Sequence, residues 1–294
     1  MELGEFFRQQ RLDNHLTIHQ VAGGIVSDSM LSRFERGESD ISAKLYFQLL
    51  TRLDANVEDL QNWYIEHDQN NPFAFANMDG TNEGLRKAAV HFQQLYEKTG
   101  WRYYQLSAIS YMMSYAKWHP ERHLVTQEMT DILLRSLLSL KTWGNFDIGL
   151  ITPLVASPYV TTAELKQLLP TLVQVTKQHA ASSSADWRDS SFVHLVAACQ
   201  QLASALMPRQ CWDEARSLIS MVDGLPIETS LALLHNQTKI RLLLAYHDSP
   251  SPAIDDDYNA MEAAWIGTQF EDIGAQSTAA WKRFKKAQEI SHDN

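Results

Sequence analysis

The sequence predicts an all-α protein built as two domains, and three observations carry that reading. Apolar residues recur at three- and four-residue spacing nearly everywhere, as in Leu133, Leu134, Leu137 and Leu138 or in Ile240, Leu243 and Leu244. That is the period of an amphipathic helix. The two-residue alternation of half-buried strands is almost absent. Prolines and glycines punctuate the chain at Pro72, Gly80, Gly100, Pro120, Gly144, Pro158, Pro170, Pro208, Pro226 and Pro250, where they are expected to separate helices.

The bulk figures bound the function. The chain has 294 residues, 45% of them hydrophobic and 20% charged, enough for one large or two ordinary globular domains. A formal net charge of −10 argues against a protein coated in nucleic acid, though not against a small local reading head. The leading "MELGEFF" is acidic and has no apolar run, so no signal peptide is expected. No stretch approaches the roughly 18 uninterrupted apolar residues of a membrane span. Cys199 and Cys211 have no partner motif and read as reduced, buried or half-buried thiols of a cytosolic protein.

The first domain, expected over residues 1–66, has a compact five-helix pattern. Within it "LTIHQVAGGIVSDSMLSRFERG", Leu16 to Gly37, has the spacing of a helix-turn-helix. Thr17 can N-cap a first helix that turns Val21 and Ala22 inward, and Ala22 is small enough for a close crossing. Gly23 and Gly24 lead into the turn, Ser27 can cap the second helix, and Leu31 and Phe34 bury one face of it. The opposite face carries Asp28, Ser29, Ser32 and Arg33. Short hydroxyl side chains let a helix lie deep in a major groove, and Arg33 can pair bidentately with a guanine. Asp28 supports two readings, an acceptor for a cytosine amino group or an acid favoured by the helix dipole.

This domain is not basic. Residues 1–66 hold six Lys or Arg against eleven Asp or Glu, a balance of −5. DNA binding would rest on a few placed cations and on helix starts aimed at phosphates, with Arg8 and Arg36 as the phosphate candidates beside Thr17. Arg11 is read differently. Helix-turn-helix domains of the phage-repressor type often pair these positions, so Arg11 is expected to reach Glu35 across the small core.

A polar run from Glu66 to Asn82 marks the boundary, with residues 67–80 as linker and 81–294 as the second domain. There helices of about 12–18 residues alternate with short breaks, in pairs about 35–45 residues apart. "CWDEARSLISMVDGLPIE", Cys211 to Glu228, looks like the second helix of a tetratricopeptide hairpin, with Ala215 at a close crossing and Pro226 after the stop. Stacked helix pairs make a superhelix whose concave face suits peptides.

The sequence carries no Gly-rich phosphate loop, no G-x-S-x-G elbow and no cysteine pair with zinc spacing, so an enzyme, a metal site and a cofactor are not expected. His119 and His123 in "HPERH" have ligand-like spacing but no accompanying glutamate, and Pro120 suggests the first turn of a helix. His15 and His19 straddle a loop-to-helix junction. Asp255, Asp256 and Asp257 read as helix-start acids. Eleven histidines leave pH sensing open.

"SRFERGESDIS", with the preceding "QVA" and the leading "LGEFFRQQR", resembles the Rgg/GadR/MutR family of Gram-positive transcription regulators. "LKTWGNFDIGLI", Leu140 to Ile151, resembles that family's Trp-Gly-x-Phe-Glu signature, with Asp147 in place of the acid. The resemblance covers most of the chain. It implies a cytoplasmic homodimer whose tetratricopeptide-like domain binds a short imported peptide and so controls transcription from a near-palindromic DNA site. The family often places an asparagine about fourteen residues before the repeat alanine; counting back from Ala215 gives Gln201 instead. A largely apolar peptide needs an apolar floor and side-chain amides for its backbone. Trp143, Trp187, Gln201 and Asn236 fit that requirement, with Asn145 and Lys239 nearer the rim and Lys239 able to pair with the peptide carboxylate. The alternatives are a regulator of the same build that responds to pH or a small metabolite, and an interaction scaffold with no DNA affinity.

Overall fold

The computed structural model describes residues 3–53, 60, 63, 82–181, 190–223, 225, 230–264 and 271–292. Among these residues every regular element is helical, as expected. The chain divides into two compact units, Met1–Gly80 and Thr81–Asn294. The expected linker, 67–80, and most of the expected fifth helix lie outside the described residues.

Four helices are described in the first unit: α1 (Leu3–Asp13), α2 (Ile18–Ala22), α3 (Asp28–Glu35) and α4 (Ala43–Leu50). Hydroxyl caps set three of their starts. Thr17, Ser27 and Ser42 each accept a hydrogen bond from a backbone N–H one turn into the helix, and Gln20 completes a capping box with Thr17. Gly24, at φ +78°, makes the turn between α2 and α3 in the left-handed region that side chains disfavour. Val21, Ala22, Leu31 and Phe34 are buried as their spacing predicts, in a core with Phe7, Tyr46 and Leu49. The rings of Phe7, Phe34 and Tyr46 meet edge to face, with centroids 5.7 to 6.1 Å apart.

Arg11 and Glu35 are paired. The guanidinium donates to both carboxylate oxygens of Glu35, Nε at 2.6 Å and Nη2 at 2.7 Å, and its Nη1 donates to the Leu16 carbonyl at 2.8 Å. Both residues are buried, and the hydrogen bond to Glu35 raises the Arg11 pKa further still. The pair ties α1 to the end of α3. Gly4 permits this approach, because a Cβ there would lie 1.9 Å from the Phe34 carbonyl oxygen.

The second unit runs through α5 (Asn82–Thr99), α6 (Arg102–Lys117), a 3₁₀ turn (Pro120–Arg122), α7 (Gln127–Leu138), α8 (Asn145–Gly149) and α9 (Ile151–Val155). It continues through α10 (Thr162–Ala181), α11 (Ser190–Leu206), α12 (Trp212–Val222), α13 (Leu231–Asp248), α14 (Pro252–Ala263) and α15 (Glu271–His292). Sequential helices pack as antiparallel-type pairs, α5 on α6, α11 on α12, α13 on α14, and α14 on α15. Helix α11 is the hub. It touches α8, α9, α10, α12 and α13, and Leu195, Val196, Ala198, Cys199, Leu202 and Ala203 are all fully buried. Ala215 is fully buried on α12, at the close crossing its small size suggested.

Two sequence expectations change here. Pro170 does not separate helices but lies inside α10. A proline there costs one backbone hydrogen bond, about 3 kcal/mol in an isolated helix. Leu165 and Leu168 before it and Leu172 and Val175 after it are all buried, and that packing holds the helix together. Asp255 is more than a helix-start acid: it accepts from Trp281 Nε1 and from Lys285 Nζ, each at 2.6 Å, and so fastens α14 to α15.

Replacing Gly4 with alanine should lower the stability of the first unit by about 2 kcal/mol or more, since backbone on both sides must shift. Arg11→Ala should cost about 3–5 kcal/mol by leaving Glu35 buried and unpaired. Hydrogen exchange of α1 and α3 amides checks both; protection equal to the parent's would contradict them.

Candidate functional site

In the first unit, α3 presents Ser27, Asp28, Ser29 and Arg33 exposed, and Ser32 half-buried, opposite Leu31 and Phe34. Arg8 on α1 is also exposed. Neither Arg8 nor Arg33 has a hydrogen bond or ion pair among the described residues, so both guanidinium groups are free for an anion. Arg36 is not free. Its guanidinium grips the Glu38 carboxylate with Nε at 2.6 Å and Nη2 at 2.9 Å, and Nη1 donates to Ser32 Oγ. That bonding holds the Glu38 carboxyl below its ordinary range. A phosphate contact from Arg36 therefore requires exchange with Glu38. Thr17 spends its hydroxyl on the capping box, accepting from Gln20 N–H and donating to Gln20 Oε1. His19 Nδ1 sits 3.2 Å from Asp28 Oδ2, a partner that neither periodicity nor capping rules pointed to.

The second unit contains a cavity of about 620 Å³. Gln201 from α11, Asn236 and Lys239 from α13, and Lys117 from α6 all line it. Three of those four were chosen from the sequence. Among the described residues the amides of Gln201 and Asn236 have no hydrogen bond, and neither lysine has a carboxylate within ion-pairing distance. Four polar groups with unspent bonding capacity thus share one space.

The apolar wall comes from α12, α14 and α15. Tyr258 stacks on Trp281 at 4.2 Å, Trp281 packs on Phe284 at 5.6 Å, and Trp212 lies 6.0 Å from Phe284. Burial pushes the Tyr258 hydroxyl up to about 12. The spacing of Trp281 and Phe284 signals only an apolar helix face, so sequence alone does not separate core aromatics from cavity aromatics.

Behind this wall sits a buried carboxylate. Glu262 Oε1 accepts from Ser277 Oγ, while Oε2 has no hydrogen-bond partner. His235 Nε2 lies 3.6 Å from Glu262, and burial lowers the His235 pKa despite that neighbour. Burial also pushes the Lys239 ammonium below the usual lysine range; Glu262 opposes the shift and Lys117 adds to it.

The remaining peptide-site expectations fare differently. Trp143 is buried in the main core, its Nε1–H donates to the Leu137 carbonyl at 3.0 Å, and it does not line the cavity. The Trp-Gly-x-Phe-acid motif is structural: Asp147 Oδ2 accepts from the Gly144 N–H at 3.0 Å and starts α8. Asn145 is exposed at the beginning of α8 and does not line the cavity. Trp187 lies outside the described residues. Cys199 and Cys211 are free and buried, and burial pushes the Cys199 thiol up to about 11. Among the described residues no helix is long and apolar enough to cross a membrane.

No protein-family profile and no curated protein matches the sequence. Solved structures do match, over nearly the whole chain. A candidate transcriptional regulator from Listeria monocytogenes superposes with a TM-score of 0.73 at 13% identity, covering 97% of this chain and 98% of its own. The pheromone receptor Rgg2 of Streptococcus dysgalactiae gives 0.70 at 17% identity, covering 96% of this chain and all of its own. PlcR of Bacillus thuringiensis, solved with the peptide PapR7 and DNA, gives 0.57 at 16%, covering 96% and 98%. The chain therefore has the all-helical fold of the Rgg- and PlcR-type regulators, a helix-turn-helix unit followed by a tetratricopeptide-like helical array.

A desolvated, unpaired lysine destabilises the fold that holds it. Lys239→Met should therefore raise the stability of the second unit by roughly 1 kcal/mol. Because the native pKa of Lys239 is lowered from 10.5, the unfolded chain binds the extra proton between the two values. The parent thus gains stability relative to Lys239→Met as pH rises toward 10.5. Urea melts of both proteins at pH 7 and pH 10 check the sign.

Proposed function

We propose that this chain is a DNA-binding transcription regulator of the Rgg/GadR/MutR kind, not an enzyme, which acts as a homodimer under the control of a short apolar peptide. One observation carries the reading. Gln201, Asn236 and Lys239, chosen from the sequence by what a peptide requires, converge on one cavity whose wall is aromatic and whose amides are unspent. An apolar peptide brings side chains for the aromatic wall and a backbone whose N–H and C=O groups need partners once buried. Side-chain amides both donate and accept, so they serve either group. Lys117 and Lys239 supply the positive charge that a peptide carboxylate would balance. The descriptions of the structural neighbours, one a pheromone receptor and another bound to peptide and DNA, support the same reading.

The first unit serves as the reading head. Arg33 is the free cation on the exposed face of α3, with Ser29 and Ser32 short enough to let that face sit close to base edges. With a charge balance of −5 in residues 1–66, a single head binds weakly. Two heads joined on one scaffold gain by effective concentration, and two-fold symmetry matches a near-palindromic site.

Binding to promoter fragments should weaken steeply with salt. Arg33→Ala should lower operator affinity by about 10- to 100-fold, the worth of a bidentate guanine contact, without changing the melting curve. Calorimetry with apolar peptides encoded beside the gene should give micromolar binding that Asn236→Ala and Gln201→Ala each weaken by about fivefold or more. Sedimentation should show a dimer at micromolar protein. DNA affinity unaffected by Arg33→Ala, or peptide affinity unaffected by both amide variants, would overturn the corresponding half.

A further inference from the structure

Lys117 faces two spaces. Besides the larger cavity, it lines a second one of about 360 Å³, formed by the end of α6, the segment 119–125 and the segment 153–159. The walls of this second cavity are apolar: Met113, Leu124, Val125, Pro153, Pro158 and the ring of Tyr159. Its polar side is basic, from Lys117, His119 and His123. The nearby carboxylate is already engaged, since Glu121 Oε1 lies 3.5 Å from His119 Nδ1 and 3.7 Å from Arg122 Nε. Arg122 is directed elsewhere, donating to the Tyr115 hydroxyl at 2.6 Å. Lys117 is left without a partner among the described residues.

We propose that this second cavity binds a small apolar monocarboxylate whose carboxylate pairs with Lys117. The volume suits a ligand of about a dozen non-hydrogen atoms, at the small end of known ligand pockets. The charge pattern selects the class. A neutral ligand leaves the ammonium unpaired. A phosphate or a dicarboxylate would bring a second charge against proline, leucine and valine, where burial without a partner is costly. One carboxylate on an aromatic or branched hydrocarbon body satisfies both sides. Lys117 is exposed as a residue, yet surrounding protein lowers its ammonium below the usual lysine range, and an arriving carboxylate offsets that cost. His119 packs against Tyr115 with ring centroids 4.4 Å apart, which fixes the ring at the same end. The proposal does not require the larger cavity to take a peptide, but Lys117 lines both spaces, so an acid held here competes with a peptide carboxylate for that one ammonium.

The test uses the full chain with 4-phenylbutyrate and its uncharged amide as probes, by isothermal titration calorimetry at pH 7.5. The acid should bind with a Kd of about 10–500 μM, and the amide at least about tenfold more weakly. Lys117→Met should bring the acid down to the level of the amide, and Ala156→Trp, which fills the cavity mouth, should abolish binding of both. Lys239→Met, in the larger cavity only, should change the acid Kd by less than about twofold. Equal binding of acid and amide to the parent overturns the proposal, and that comparison needs no variant. So does the absence of acid binding at millimolar concentration. A loss with Lys239→Met as large as with Lys117→Met would also overturn it, by placing the acid in the larger cavity.

Discussion

Helix α11 packs against five other helices, and the second unit is arranged around that packing. Most of its described residues are buried, with Val193, His194 and Ser204 exposed, and it carries Gln200 and Gln201 side by side. The two are resolved in opposite ways. Gln200 is fully buried, and its Nε2 donates to the Leu233 carbonyl and to Gln237 Oε1, each at 2.9 Å. Gln237 in turn donates to Asp223, which Arg241 also holds at 2.6 Å. This chain of polar contacts crosses from α11 through α13 to the end of α12, and fixes how those helices sit. Since successive residues lie about 100° apart around a helix, fixing Gln200 in the core turns Gln201 toward the cavity. The cavity-facing amide is thus positioned by its buried neighbour.

The same trade between order and cost runs through the cavity. Among the described residues neither Lys117 nor Lys239 has a carboxylate within ion-pairing distance, and desolvation by the surrounding protein lowers both pKa values. Glu262, the nearest buried carboxylate, is tied to Ser277 behind the wall and sits close enough to influence Lys239 without forming an ion pair with it. A fold selected only for stability would remove such lysines or pair them. Their retention makes sense where a ligand completes the electrostatics, because a ligand that binds only the native state returns stability in proportion to its affinity.

The first unit follows a simpler logic. Its core is small, and the buried Arg11–Glu35 pair, the three-ring cluster and the Gly4 contact together hold α1 against α3. With α3 set by its buried face, only part of the exposed face is tied up in local contacts. Arg33 and Arg8 remain uncommitted, whereas Arg36 and Asp28 are occupied by Glu38 and His19.

Much of this was legible in the residue order. The all-helical class, the caps at Thr17 and Ser27, the inward Leu31 and Phe34, and the turn at Gly24 depend on interactions within a few residues, which spacing and side-chain type determine. Gln201, Asn236 and Lys239 were singled out by what an apolar peptide requires, amides for its backbone and a cation for its carboxylate, and all three line the one cavity. Tertiary structure alone decided the rest. Pro170 sits inside a helix because packing on both sides outweighs its local penalty. Trp143 belongs to the core, and Tyr258, Trp281 and Phe284 belong to the cavity, although all four are simply large apolar residues at helical spacing. Which aromatic faces a ligand depends on which helices meet around it, and no local pattern encodes that. Lys117 joins Lys239 across more than a hundred residues for the same reason: helical period assigns a face to each residue, but only the packing of helices assigns a neighbour to each face.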